Sequence, residues 1–282
     1  MKQYMVDEKK IDLAEYKWDI LVILDACRYD MFKKVYKDII GRYGTLKKAI
    51  SPTTTTQEFL KNIFHDKSLK DVIYISGNPY INSTDISLSG FDPKKHFKKV
   101  VDVWDFGWDD KLGTVHPKEL NKSAIVSLDL HRKNRHIIHY LQPHSPYIYY
   151  SGEGGRIDSR TETKNKGKKE KKYAKGMEKI AKRIFSDETI WKMGDIVGKL
   201  PDGGIGSLWK KYGKGGIIKG YTEDLKLVLN YVKVIIDKYP EKKIVITADH
   251  GERLGEKGYY GHSTTKRDKE VIEVPWFETK VE

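Results

Sequence analysis

Apolar and polar positions along the chain fall into short apolar runs separated by stretches of helical spacing. The first run, Trp18–Leu24, is almost unbroken and stops at the polar string Asp25-Ala26-Cys27-Arg28-Tyr29-Asp30. A segment apolar at odd and even positions alike suits a strand buried on both faces, as in a parallel sheet. Val72–Ser76, Val100–Val103, Arg135–Leu141 and Ile244–Ala248 predict further strands. Between them, Leu225, Val228, Leu229, Val232, Ile235 and Ile236 recur at helical spacing and predict a helix over Thr222–Tyr239, capped by Thr222 and stopped by Pro240. Strands alternating with helices predict an α/β domain with a mostly parallel central sheet. Sites in such domains gather beyond the carboxyl ends of the strands. Asp25 follows the first predicted strand, and Asp249-His250-Gly251-Glu252 follows the last.

The stretch from about 151 to 220 breaks this rhythm. Two glycine clusters, Gly152-Glu153-Gly154-Gly155 and Gly213-Lys214-Gly215-Gly216, flank a lysine tract, and the segment reads as an insertion in a single domain spanning 1–282. It also explains the charge. The 282 residues carry 53 Lys and Arg against 40 Asp and Glu, a formal +13. Lys164–Arg183 alone holds ten basic and two acidic residues, a net +8, which leaves +5 for the rest. The surplus is one tract and not a uniformly basic surface. That tract can be a solvated segment, a clamp for a polyanionic or lipid-linked substrate, or a contact for an anionic membrane. Tyr173 is its lone aromatic, so stacking on single-stranded nucleic acid is poorly supported.

One cysteine, Cys27, excludes an intrachain disulfide and cysteine-based zinc knuckles. No apolar run reaches the roughly 20 residues of a membrane span, and the N-terminal residues lack the apolar core of a secretory signal. The expected location is the cytoplasm, or a membrane surface reached through the basic tract.

Asp249-His250-Gly251 sets a carboxylate and an imidazole side by side just past a strand, where the chain turns and both can reach one ion. Together with Asp25 they would suit zinc, manganese or magnesium, with calcium as a further candidate, and leave a coordination position open. The alternative is a loop triplet that caps the following segment.

The longer string around it, Ile244-Val-Ile-Thr-Ala-Asp-His-Gly-Glu-Arg-Leu-Gly-Glu-Lys-Gly-Tyr-Tyr-Gly-His262 followed by Val274-Pro275, resembles the carboxyl-terminal signature of the alkaline phosphatase and sulfatase superfamily. Two further segments resemble that superfamily in the same order. The first strand ends on Asp25, as the family's opening strand ends on an acidic metal ligand. His139-Tyr-Leu-Gln-Pro-His144-Ser-Pro-Tyr147 is similar to its H-x-PY segment, whose histidine faces the substrate oxyanion. The string 25–30 resembles that of archaeal sulfatase-like proteins. The resemblance covers about Trp18 to Pro275, without the basic insertion, and implies a three-layer α/β/α sandwich and a metal-dependent enzyme acting on phosphate or sulfate esters.

The nucleophile departs from true sulfatases. Those need Cys or Ser in a C/S-x-P/A-x-R frame, and here Cys27 follows Asp25 while Ser51-Pro-Thr-Thr-Thr has no arginine in frame. Ser51-Pro-Thr53-Thr54-Thr55-Thr56-Gln-Glu58-Phe59 resembles instead the nucleophile turn of lipoteichoic acid synthase-like phosphoglycerol transferases, which aligns Thr54 with the nucleophile and leaves Thr56 as the alternative. The run also predicts a helix N-terminus with Gln57–Phe64 as the helix, whose N–H groups suit an anionic ester. The resemblance implies a single-ion site of Asp25, Thr54, Asp249 and His250, with His144 and His262 holding ester oxygens or protonating the leaving group, or serving a second ion. Arg28 could clamp an anionic oxygen or pair with Asp30. The leading expectation is a hydrolase or transferase of anionic esters, glycan- or lipid-linked, working through a threonine. The alternatives are a sulfate-ester hydrolase without formylglycine and a non-catalytic anion-binding protein on the same fold.

Overall fold

The computed structural model describes residues 3–150 and 205–281. Nine strands form one sheet: β1 (Tyr4–Val6), β2 (Lys9–Ile11), β3 (Ile20–Leu24), β4 (Gly44–Ile50), β5 (Leu69–Ser76), β6 (Phe97–Asp102), then, past the two-residue strands β7 (Trp108–Asp109) and β8 (Thr114–Val115), β9 (Arg135–Tyr140), β10 (Ile244–Thr247) and, past the separate pair β11 (Arg253–Glu256) and β12 (Tyr259–Gly261), β13 (Glu273–Thr279). Their order is β2-β1-β4-β13-β10-β3-β9-β5-β6. The block β10-β3-β9-β5-β6 is parallel throughout, and the flank β13, β4, β1, β2 pairs antiparallel. Reversing direction at each antiparallel step leaves seven strands in one sense and two, β1 and β13, in the other.

Every residue of β3 and β10 is buried, as unbroken apolar runs require of strands covered on both faces. β9 shows how the covering layers divide. His136 and Tyr140 bond Ser127 and Asn121 of the helix Pro117–Leu130, while His139, pointing the other way, packs edge-on against Phe59 of the helix Thr56–Phe64. The helices Tyr29–Ile39 and Pro117–Leu130 both pack against the long helix Ile205–Lys238 on one face. This is the expected three-layer sandwich with a mostly parallel sheet.

The long helix corrects two details. Thr222 does not cap its start, because the helical stretch begins at Ile205 and bends at Gly213, whose φ is 63°. Ile217, Gly220 and Tyr221 continue the buried stripe upstream, so tertiary burial extends the helix past the cap signal, and the Thr222 hydroxyl donates back to the Ile218 carbonyl. Residues 205–220 of the expected insertion are therefore part of this helix. The remainder of the insertion, including Lys164–Arg183, lies outside the described residues. Among those described, no helix is long and apolar enough to cross a membrane.

Candidate metal centre and its threonine turn

Parallel strands carry their carboxyl ends to the same edge, and four adjacent ones do so here. Beyond β10 comes Asp249, beyond β3 Asp25, beyond β9 His144 and beyond β5 Asn78. The ladder continues past β3, since the Asp25 N–H donates to the Tyr140 carbonyl at 3.0 Å. The chain then turns through Ala26, a non-glycine residue at φ 57°. That turn is held from the long helix: the Tyr221 hydroxyl donates to the Ala26 carbonyl and accepts the Arg28 N–H, both at 2.8 Å. It aims the Ala26 N–H at Asp249 Oδ1, 3.2 Å away. Gly251 serves a close approach, because a Cβ there would lie 2.3 Å from the Glu270 carbonyl oxygen.

Asp25, Asp249 and His250 converge, each offering one ligand atom within 4.8 Å of the others. His250 Nε2 lies 3.4 Å from Asp249 Oδ2 and 3.8 Å from Asp25 Oδ1. The His250 Nδ1–H donates to the Gly251 carbonyl at 2.9 Å, so the inward Nε2 carries the lone pair, the tautomer a metal requires. His250 Nε2 and Asp25 Oδ1 are buried with no hydrogen-bond partner among the described residues. Among the described residues no Lys or Arg pairs with Asp25 or Asp249. Burial, and next to it the Asp249 charge, push the Asp25 carboxyl up to about 7. Burial acts the same way on Asp249, but His250, His139 and the Thr56 hydroxyl outweigh it and hold that carboxyl below its ordinary value. Two fully buried carboxylates without a cation are costly, and bare oxygen and nitrogen atoms facing one point fit a divalent ion.

A second group adjoins the first. His144, Glu252 and His262 likewise bring one ligand atom each within 4.8 Å of the others. The His250 and His262 ring centroids are 4.1 Å apart. His144 Nδ1 donates to the Ser145 carbonyl at 2.5 Å, and its Nε2 lies 3.4 Å from His262 Nε2 and 3.8 Å from Glu252 Oε1. Burial alone would lower His144, but the Glu252 and Asp25 carboxylates outweigh it and push it up to about 9. Burial together with His250 and His144 holds His262 far below its ordinary value. An imidazolium beside a neutral imidazole follows, with the His144 proton directed at His262. Glu252 is the member sequence reasoning missed, although it stood inside the Asp-His-Gly-Glu string.

The threonine run wraps Asp249. Ser51 Oγ and Thr53 Oγ1 donate to its carbonyl at 2.5 and 3.0 Å, and Thr56 Oγ1 donates to its Oδ2 at 2.7 Å. Thr55 caps the helix Thr56–Phe64 by accepting the Glu58 N–H. Thr54 differs: its hydroxyl donates to Glu58 Oε2 at 3.1 Å, its N–H reaches the same oxygen at 3.2 Å, and its backbone adjoins His262. Arg28, given two roles by the sequence, takes the pairing one. Its guanidinium bonds both Asp30 oxygens, Glu256 Oε1 at 2.6 Å and the Glu252 carbonyl, tying the turn after β3 to the loop that carries Glu252.

No protein-family model and no curated protein sequence matches the chain. Solved structures do. The soluble domain of lipooligosaccharide phosphoethanolamine transferase A from Neisseria meningitidis superposes with a TM-score of 0.56 at 13% identity, covering 92% of this chain and 75% of that one. The chain has the alkaline phosphatase-like fold. Against the integral membrane form of that transferase the TM-score is 0.55 at 13% identity, and the 92% of this chain that aligns spans 47% of the larger protein, about half its length. The phosphonate monoester hydrolase from Silicibacter pomeroyi gives 0.53 at 12% identity over 93% of this chain and 68% of that one. A 2-O glycosaminoglycan sulfatase gives 0.52 at 12% identity over 94% and 64%. The periplasmic domain of a phosphoethanolamine transferase from Escherichia coli, solved as a complex with zinc, gives 0.51 at 14% identity over 96% and 75%.

Proposed function

We propose that the chain is a divalent-metal-dependent enzyme that hydrolyses or transfers phosphate esters through Thr54. The observation that carries this reading is the convergence of Asp25 Oδ1, Asp249 and His250 Nε2 beside a turn whose other hydroxyls are already committed. Thr56 gives its proton to Asp249, a carboxylate already held ionised and so a weak base. Thr54 gives its proton to Glu58, a side chain not engaged in the ligand group.

Asp25, Asp249, His250 and Thr54 would hold the ion. When bound it supplies a Lewis acid that favours the ionised hydroxyl and offsets charge on the ester. Thr54 Oγ attacks phosphorus and passes its proton to Glu58. The bond from phosphorus to the leaving oxygen breaks, and His144, charged near neutral pH, protonates that oxygen from Nε2. His262, neutral and adjacent, orients the His144 proton and an ester oxygen. Water or an acceptor hydroxyl then attacks the phosphothreonine and gives its proton to His144, the bond from phosphorus to Thr54 Oγ breaks, and Glu58 returns its proton to that oxygen. The phosphorus chemistry named for the transferase and the phosphonate hydrolase of similar fold supports phosphate over sulfate, and the lipooligosaccharide and glycosaminoglycan in the neighbours' names suggest a lipid- or glycan-linked ester.

The test is turnover of aryl phosphate mono- and diesters and of aryl sulfate by EDTA-treated protein given Mn, Zn, Mg or Ca, with trapped protein mapped by peptide mass. Metal-restored phosphoester turnover and a phosphoryl adduct on Thr54 are expected. Turnover of sulfate alone would favour the sulfate-ester alternative. An adduct on Thr56 would reassign the nucleophile, and no turnover with any ion would leave a non-catalytic anion-binding protein.

A further inference from the structure

We infer that Asn78, outside the sequence strings that carry the family resemblance, is a positioning residue: it holds one oxygen of Asp25 so that the other faces the ion. The inference rests on the metal site proposed above and concerns how that site is built.

Asn78 follows β5 at the same sheet edge as the ligands, and it is buried. Its backbone is fixed from Ser76, whose Oγ donates to the Asn78 carbonyl at 2.7 Å and accepts the Asn78 N–H at 3.0 Å. The side-chain carbonyl accepts the Tyr80 N–H at 2.9 Å, closing an Asx turn. The amide nitrogen is thereby aimed at Asp25 Oδ2, to which it donates at 2.6 Å. Both ends of the amide are assigned by their partners, since a backbone N–H can only donate and a carboxylate can only accept. Asp25 Oδ2 is thus occupied, while Oδ1 is buried, without a hydrogen-bond partner among the described residues, 3.8 Å from His250 Nε2.

A carboxylate free to rotate can meet an ion through either oxygen or through both. One whose outer oxygen is bonded to a rigid neutral donor presents a single oxygen in a fixed direction, without the loss of charge a proton would bring. The Ala26 and His250 N–H groups do the corresponding work for Asp249, both donating to its Oδ1 while Oδ2 faces His250 Nε2. Asn78 is a separate anchor supplied by a neighbouring strand. Outer partners of this kind typically set metal affinity by about 10–100-fold.

The experiment compares wild type, Asn78→Ser and Ser76→Ala by competition with a chromogenic chelator for Mn and for Zn, alongside melting of the metal-free proteins. Serine can still accept the Tyr80 N–H but is too short to reach Asp25, so Asn78→Ser withdraws the donor and keeps the turn. Ser76→Ala loosens the turn and keeps the donor. We expect Asn78→Ser to lose about tenfold or more in affinity, with a metal-free melting temperature near that of wild type, and Ser76→Ala to stay within about twofold. Asn78→Ser binding within about twofold of wild type, or Ser76→Ala falling as far as Asn78→Ser, would overturn the inference while leaving the metal site standing. A wild-type protein that binds neither ion would instead remove the proposed function on which it rests.

Discussion

The two ligand groups at the end of the parallel block lie against each other and are built on opposite principles. In the first, two carboxylates and one imidazole are fully buried, and each is locked from outside: Asp249 by two N–H groups and Thr56, Asp25 by Asn78, His250 by the Gly251 carbonyl. In the second, two half-buried imidazoles adjoin a buried carboxylate, and the histidines bond each other. Rigidity with surplus negative charge suits a permanently held ion. A pair of imidazoles with opposed protonation suits proton traffic and an anionic ester. The difference lies in the donors behind each group, more than in the groups themselves.

The largest expected effect breaks the first group. Asp249→Ala should abolish stoichiometric metal binding, read by elemental analysis, and lower phosphoester turnover by about 10³-fold or more. Next, His144→Gln should lower turnover by roughly 10²–10⁴-fold with metal content unchanged, because it removes the proton donor and spares the ion. If both substitutions empty the site of metal, the two groups form one centre and the comparison fails. A third measurement follows from protonation. Burial pushes Asp25 and Asp224 each up to about 7 from an ordinary 3.8. Between those values these two carboxyls bind protons in the folded chain that they do not bind in the unfolded one, so their share of metal-free stability falls as pH rises from about 4 to about 7, against an opposite contribution from His136 and His139, which burial holds down to about 4. A saturating divalent ion should remove the Asp25 share, so the gap between melts in EDTA and in Mn should widen with pH. The smallest effect tests the latch between the groups. Arg28→Met should cost roughly 1–3 kcal/mol of stability, reduced because Asp30 and Glu256 are partly exposed, with metal content retained.

Much of the fold was legible because the parallel block is apolar on both faces: β3, β5, β9 and β10 fall within a few residues of the runs that predicted them. β4 was not, since its pattern Gly-Thr-Leu-Lys-Lys-Ala-Ile buries only Ala49 fully and lacks an apolar stripe. Its pairing is supplied by β13, with seven partners in register. Thr222 misled because a threonine at a plausible cap position says nothing about the apolar surface upstream that tertiary packing covers.

The site divides the same way. Asp25, Asp249 and His250 could be picked out because strand ends in a parallel sheet must meet, so residue type plus position after an apolar run was enough. Their partners could not. Which threonine gives its proton to Asp249 and which to Glu58, whether Arg28 faces substrate or Asp30, and that Asn78 reaches Asp25 across 53 positions of sequence are matters of distance and direction. Local pattern carries burial and period, which determine the sheet and the edge where chemistry gathers. Hydrogen bonds between segments far apart in the chain have no local signature, so the identity of the outer donors, and with it the separation of a rigid ion site from a proton-handling pair, was decided by the tertiary structure alone.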